Sequence, residues 1–170
     1  MKQLTWEEYY DGFYDWVPST QKSYAYRLSD YGSADEVWEI AEELDFEDSA
    51  FAAKFLERAF SAGVRFTPEQ VLEMVAMVDQ SLLSKMAEQT TVPFNREQLE
   101  EIYLMIDDSS FQKISRRSRI DVFDDVKELR RQAAASSAAR PKKKGGLLSA
   151  LAAFAAGAAV ASHLNKKHDG

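Results

Sequence analysis

Apolar residues recur at helical spacing in two segments, 64–86 and 92–114, which match each other at an offset of 28 residues. Nine of the 23 aligned positions are identical, and many of the others keep apolar character. Each segment is typical of a helix, a tight turn and a second helix. Two residue pairs, Thr67 with Gln70 and Asn95 with Gln98, have the spacing of a capping box. The duplication therefore predicts two stacked helical hairpins.

An earlier segment carries the same capping signal in a less regular form. Ser33 with Glu36 precedes an apolar pattern at helical spacing. We expect a second helix of this unit at 50–62, ended by Gly63, because glycine is favoured just beyond a helix C-terminus.

A further unit is predicted at the N-terminus. Thr5 with Glu8 forms a capping box before an expected helix at 6–16. Pro18 interrupts the helical pattern, so we expect the second helix of this unit to run from about Thr20 to Leu28. The chain would then contain four helical hairpins.

The chain as a whole is predicted to be all-α. It contains only seven glycines and four prolines, and no segment shows the alternating pattern of a strand. Because the predicted helices are short, they must stabilise one another by packing. We expect short stacked helical hairpins, either α-solenoid-like or a compact helical bundle, followed by a helix at 121–139 and a separate C-terminal Ala-rich helix.

Charge divides the chain into an acidic body and a basic tail. Residues 1–131 contain 15 Lys and Arg against 27 Asp and Glu, whereas the remaining residues contain six against one. We expect an acidic helical-repeat domain at 1–131, an Ala/Ser and then basic Pro/Gly linker at 132–146, an apolar Ala-rich helix at 147–164 and a polar tail at 165–170. An acidic body repels phosphate, so nucleic acid is not the expected partner.

The Ala-rich segment 147–164 has 18 residues without a formal charge. As a helix it would be about 27 Å long, close to the hydrocarbon thickness of a bilayer, which predicts a membrane anchor. Lys142, Lys143 and Lys144 would then lie at lipid headgroups on the cytoplasmic side. The alternatives are a passive tail and self-association through small residues spaced four apart. These small residues are Ser149, Ala153, Gly157 and Ala161.

The body offers little acid–base or metal chemistry beyond its carboxylates. The chain has no cysteine, and its only histidines, His163 and His168, lie in the tail. The sequence contains no glycine-rich phosphate-binding motif. Asp79 and Asp107 occupy equivalent places in the duplicated segments, where capping of the following helix is expected and a Mg²⁺ or Ca²⁺ site is the alternative. We therefore predict no catalytic residue, metal site or cofactor.

A small basic cluster lies near the end of the body. Its members are Lys113, Arg116, Arg117 and Arg119. We expect these side chains to pair within the protein, with Asp121, Asp124 and Asp125, rather than to contact nucleic acid.

The first unit is rich in aromatic residues and the second in acidic ones. Nine aromatic residues fall within 6–31, and seven acidic residues fall within 36–48. Aromatic side chains anchor protein interfaces, and acidic faces attract basic partners. The alternative is an aromatic core in the first unit and a solvated acidic face on the second. The candidate partner-binding residues are Trp6, Tyr9, Tyr10, Tyr14, Glu39 and Glu43.

These features favour a non-enzymatic adaptor that binds a protein partner and is tethered to a membrane by its tail. One alternative is a structural subunit that forms homo-oligomers through the small residues of the tail. A second is a small metal-binding helical protein that uses carboxylates. The polar N-terminus lacks the apolar core of a secretory signal, which favours a cytoplasmic protein.

Overall fold

The computed structural model describes residues 3–122, 126–127 and 131. Over this part of the chain the fold is all-α, as predicted, apart from an isolated bridge between Leu4 and Leu28. Except for Arg131, the described residues belong to one compact unit, Met1–Arg130. The α-helices are α1 (Trp6–Gly12), α2 (Pro18–Ala25), α3 (Ala34–Ser61), α4 (Pro68–Glu73), α5 (Gln80–Glu88), α6 (Arg96–Ile102) and α7 (Asp108–Ser118).

All four predicted capping boxes are present, at the starts of α1, α3, α4 and α6. In each box, the side chain of the capping residue accepts a hydrogen bond from the backbone N–H three residues later. The Glu or Gln side chain at that later position accepts a hydrogen bond from the backbone N–H of the capping residue. Two backbone donors that would otherwise be unpaired are satisfied at each start. The capping residues Thr5, Ser33, Thr67 and Asn95 lie 28, 34 and 28 residues apart.

The two duplicated segments fold alike. Helices α4 and α6 begin 28 residues apart, as do α5 and α7. Asp79 accepts from the N–H of Leu82 at 2.9 Å, and Asp107 accepts from the N–H of Ser110 at 3.0 Å, which confirms that both aspartates cap the following helix. Helix α4 contacts α6, and α5 contacts α7. An α-solenoid-like array of all four units stays a prediction.

Adjacent units are joined by a recurring side-chain contact. The amide nitrogen of Gln70, in the capping box of α4, donates to Oδ1 of Asp35 in the first turn of α3 at 2.8 Å. Gln98, in the capping box of α6, donates in the same way to Oε1 of Glu69 in the first turn of α4. Both acceptors are the second residue of their helix. Two capping-box glutamines therefore tie the start of one helix to the start of another.

The first two helices differ from the prediction at their bounds. Helix α1 ends at Gly12, and the next three residues form a 3-10 turn instead of continuing an α-helix to residue 16. Helix α2 begins at Pro18 rather than near Thr20, and it ends at Ala25. Proline suits the first helical position because its missing N–H would have no partner there. Pro18 therefore starts the helix that it was expected to precede.

Helix α3 spans both predicted helices of the second unit and is kinked at Asp48. The backbone is extended at this residue, with φ −163° and ψ 90°. The Asp48 carboxylate accepts from the N–H of Phe51 at 3.0 Å and pairs with Nζ of Lys22 at 2.9 Å. Gly63, with φ 111°, follows the end of the helix as predicted, and its N–H donates to the carbonyl of Phe60. The kink divides α3 into an N-terminal half, 34–47, and a C-terminal half, 49–61.

Predictions for the C-terminal part fall largely outside the described residues. Within the predicted helix at 121–139, Val126, Lys127 and Arg131 are helical, and Val126 is buried. The linker, the Ala-rich segment and its small residues lie beyond residue 131. Among the described residues, no helix is both long enough and apolar enough to cross a membrane.

The hydrogen bond between Gln70 and Asp35 is tested by swapping the two functional groups, so that residue 70 carries the carboxylate and residue 35 the amide. Gln70→Glu keeps the acceptor of the capping box but sets two carboxylates against each other, so we expect a loss of about 1–2 kcal/mol in the free energy of unfolding. Adding Asp35→Asn restores an amide donor and should recover most of that loss. Urea denaturation measures both effects, with Asp35→Asn alone as the control. Equal stability of the Gln70→Glu protein and the double variant would contradict the contact.

Candidate protein-interaction surface

Helix α1 has a buried aromatic face. Tyr9 is fully buried, and Trp6 is 7% exposed. Their ring centroids lie 6.3 and 6.4 Å from that of Phe55, in the C-terminal half of α3. The hydroxyl of Tyr9 donates to the carbonyl of Gln21 in α2 at 3.1 Å, which satisfies its polar group inside the core. Trp6 and Tyr9 were predicted as partner contacts, but they are core residues because α2 and α3 cover this face.

Tyr10 of α1 and Tyr14 of the following 3-10 turn meet the N-terminal half of α3. The hydroxyl of Tyr10 donates to Oε2 of Glu39 at 2.8 Å, and the hydroxyl of Tyr14 lies 3.4 Å from Oε1 of the same carboxylate. Tyr10 is half-buried, whereas Tyr14 is 59% exposed. The structure thus brings together three predicted residues from the aromatic first unit and the acidic second unit.

The pKa of each of these two tyrosines is raised from its ordinary value. For Tyr10, the hydrogen bond to Glu39 is the largest cause, because only the protonated hydroxyl can donate it. For Tyr14, partial burial raises the pKa most, followed by the negative charges of Glu39 and Glu43, which oppose a phenolate. Glu43, also a predicted residue, is therefore close enough to act on Tyr14. Burial also raises the pKa of Tyr9.

Glu43 and Phe46 extend this surface along α3. They follow Glu39 by four and seven residues, so the three side chains share one face of the helix. Phe46 is 89% exposed, more than any other large apolar side chain of the described residues. We refer to Tyr10, Tyr14, Glu39, Glu43 and Phe46 as the aromatic–acidic surface.

Phe46 was missed by the sequence prediction, although a signal for it was present. The buried positions in this half of α3 are Val37, Ile40, Ala41 and Leu44, as the helical spacing predicts. Phe46 falls outside that spacing, on the polar side of an amphipathic helix. The helical spacing therefore indicates that Phe46 is exposed to solvent within an acidic run.

Two members of the basic cluster near the end of α7, Lys113 and Arg117, contact groups at the end of α5. Lys113 pairs with Oε1 of Glu88 at 2.8 Å. The guanidinium of Arg117 donates to the carbonyls of Glu88 and Thr90, just beyond the last turn of α5. A cation suits this position because helix C-terminal carbonyls lack backbone donors and carry partial negative charge. Lys113 and Arg117 thus join α7 to the end of α5. Pairing of the basic cluster with Asp121, Asp124 and Asp125 stays a prediction, and Asp124 and Asp125 lie outside the described residues.

The carboxylates of the described residues do not converge on a metal centre: no group of three or more His, Asp or Glu side chains is placed to hold an ion. Asp107 also accepts from the hydroxyls of Ser84 and Ser110, at 3.3 and 2.9 Å. Backbone and side-chain hydrogen bonds from Ser110 lower the pKa of Asp107, in keeping with a cap.

The geometry defines an all-α protein with an exposed aromatic–acidic surface. Comparison with family models, curated proteins and solved structures gives no match to this chain. The residues of the surface are therefore the basis for a functional proposal.

Removing the charge of Glu39 tests the electrostatics of this surface. In a Glu39→Gln protein we expect the pKa of Tyr10 to fall toward its ordinary value, because a neutral amide no longer opposes the phenolate. NMR titration of tyrosines labelled with carbon-13 at Cζ measures this change. Glu97→Gln, at an exposed site on α6, is the control and should leave the pKa of Tyr10 unchanged. An unchanged pKa in the Glu39→Gln protein would show that the two groups do not interact.

Proposed function

We propose that this protein is a non-enzymatic adaptor that binds a protein partner through its aromatic–acidic surface. The observation that carries the proposal is the exposure of two aromatic rings: Tyr14, 59% exposed beside Glu39, and Phe46, 89% exposed on the same face of α3 as Glu39. Aromatic side chains supply much of the binding energy at protein interfaces. Exposed large apolar groups that lie together with polar ones are a feature of interaction sites.

The surface is also held in place before any partner binds. Hydrogen bonds to Glu39 restrain the hydroxyls of Tyr10 and Tyr14. The neighbouring Trp6 and Tyr9 fix the position of α1 by their burial. Binding by side chains that are already ordered costs less conformational entropy, so more of the contact energy remains as affinity.

The adaptor proposal includes a stacked, α-solenoid-like body. The contacts of α4 with α6 and of α5 with α7 support it, as do the amide–carboxylate contacts of Gln70 and Gln98. Such arrays contact only their neighbours along the stack and commonly serve as binding scaffolds. A terminal unit that differs from the others suits a specific partner site, and here the first unit carries the aromatic residues.

The proposal further includes a tether. The Ala-rich segment 147–164 would place the body at the cytoplasmic face of a membrane, with Lys142–Lys144 at the headgroups. The alternative function is that of a structural subunit, and the small residues from Ser149 to Ala161 favour it because they allow close approach of two helices.

Substitution of Tyr14 tests the binding function. We expect Tyr14→Ala to weaken capture of partner proteins about tenfold, the loss typical of an interface anchor. The measurement is quantitative affinity purification from cells that produce the wild-type or variant protein, with circular dichroism to confirm equal helical content. Val92→Ser removes a similarly exposed apolar group from the loop before α6 and is the control. Equal losses in the two variants, or none in either, would contradict the proposal.

Removal of the tail tests the tether. The full-length chain is expected in the membrane fraction, released only by detergent, because of the length of its uncharged segment. A protein of residues 1–140 is expected in the soluble fraction. If both proteins are soluble without detergent, the tether proposal is wrong. If the full-length chain forms concentration-dependent oligomers and the 1–140 protein does not, the structural-subunit function is favoured.

A further inference from the structure

The segments that form the aromatic–acidic surface contain no positive charge of their own. Residues 3–21 and 28–53, which hold α1 and most of α3, include thirteen Asp and Glu but no Lys or Arg. Glu42, Glu43 and Glu47 are all exposed around Phe46. Of the acids in these two segments, Asp48 pairs with Lys22. A surplus of exposed carboxylates on one face produces a negative potential that attracts cations and repels anions. The negative potential therefore limits which kinds of partner can bind over Phe46.

The rings of this surface are themselves suited to cations. Elsewhere the protein places its own cations over aromatic rings: the guanidinium of Arg58 lies 4.0 Å from the ring centroid of Tyr26, and that of Arg27 lies 4.9 Å from Tyr24. Cations stack on ring faces because the π-electrons are negative, and the planar guanidinium also contributes apolar contact. Within the described part of the chain, no such cation lies over Tyr14 or Phe46.

Other classes of occupant fit the surface poorly. Nucleic acid and anionic lipid headgroups would be repelled by the carboxylates. A purely apolar partner would cover Phe46 but remove Glu39 and Glu43 from water without an opposite charge, which costs free energy. A cationic partner offsets that cost and gains the aromatic contact as well.

From these observations, we propose that the partner is a protein segment rich in arginine that also carries apolar side chains. Its guanidinium groups bind Glu39 and Glu43, and a guanidinium or apolar side chain packs on Phe46. This inference rests on the proposed adaptor function and deepens it by naming the chemistry of the partner. It also makes Phe46 the main anchor of the interface.

A direct binding experiment tests this partner chemistry. The full-length protein is titrated into a fluorescent peptide of alternating arginine and leucine, and fluorescence anisotropy reports binding. We expect Phe46→Ser to weaken binding about tenfold or more. Glu39→Gln with Glu43→Gln should weaken binding and also reduce its dependence on salt, because fewer charges are then neutralised. Phe46 is exposed, so thermal unfolding should be nearly unchanged.

Two sets of controls distinguish specific binding at the aromatic–acidic surface from non-specific attraction between a basic peptide and an acidic protein. Val92→Ser and Glu97→Gln should bind as the wild type does, because both positions lie in the last unit, 92–114, and not in the aromatic–acidic surface. A peptide with citrulline in place of arginine keeps the shape without the charge and should lose binding. The inference is overturned if the citrulline peptide binds equally well, if Phe46→Ser has no effect, or if Glu97→Gln weakens binding as much as the Glu39 and Glu43 changes.

Failure of the arginine-rich partner proposal can be distinguished from failure of the adaptor function. If the arginine peptide does not bind but Tyr14→Ala still reduces partner capture from cells, the partner chemistry is wrong and the adaptor function stands. If neither effect is seen, both proposals fall.

Discussion

The packing of Trp6 and Tyr9 against Phe55 determines where the aromatic–acidic surface lies. Helix α1 has only seven residues, and a helix of this length is not stable in water by itself. Its position therefore depends on side chains that it buries. Because Tyr9 is fully buried and its hydroxyl is paired with the carbonyl of Gln21, the helix is held in one orientation. That orientation directs Tyr10 and Tyr14 toward Glu39.

Helix α1 contacts α3 on both sides of its kink. Trp6 and Tyr9 pack on the C-terminal half through Phe55, whereas Tyr10 and Tyr14 reach Glu39 in the N-terminal half. The kink at Asp48 is in turn joined to α2 by the salt bridge with Lys22. The surface thus depends on three helices, although its side chains come from α1, the 3-10 turn that follows it, and α3.

The sequence predicts the local features well because their physics is local. A capping box needs residues three positions apart, and all four boxes are present. The caps at Asp79 and Asp107 follow from the duplication in the same way. The start of α2 was misplaced because Pro18 was interpreted as a break, when its geometry also suits a first helical position.

The candidate site was predicted only in part, because burial depends on contacts distant in sequence. Tyr9 and Tyr10 are adjacent in a similar aromatic context, yet one is in the core and the other binds Glu39. The contacts of Tyr9 with Gln21 and Phe55, which are distant in sequence, distinguish the two tyrosines. The contact of Tyr10 with Glu39, 29 positions away, has no local signal either. Phe46 could have been found, since its exposure follows from the helical spacing of its neighbours.

Site-specific photo-crosslinking in cells tests the central claim, that this surface binds a protein, most directly. A photoreactive phenylalanine analogue is placed at position 14 or 46, with position 92, where Val92 is 52% exposed, as a control site outside the surface. We expect positions 14 and 46 to crosslink to the same basic segment of one protein, and position 92 to give no such product. Crosslinks that are absent from positions 14 and 46, or equally abundant from position 92, would contradict the claim.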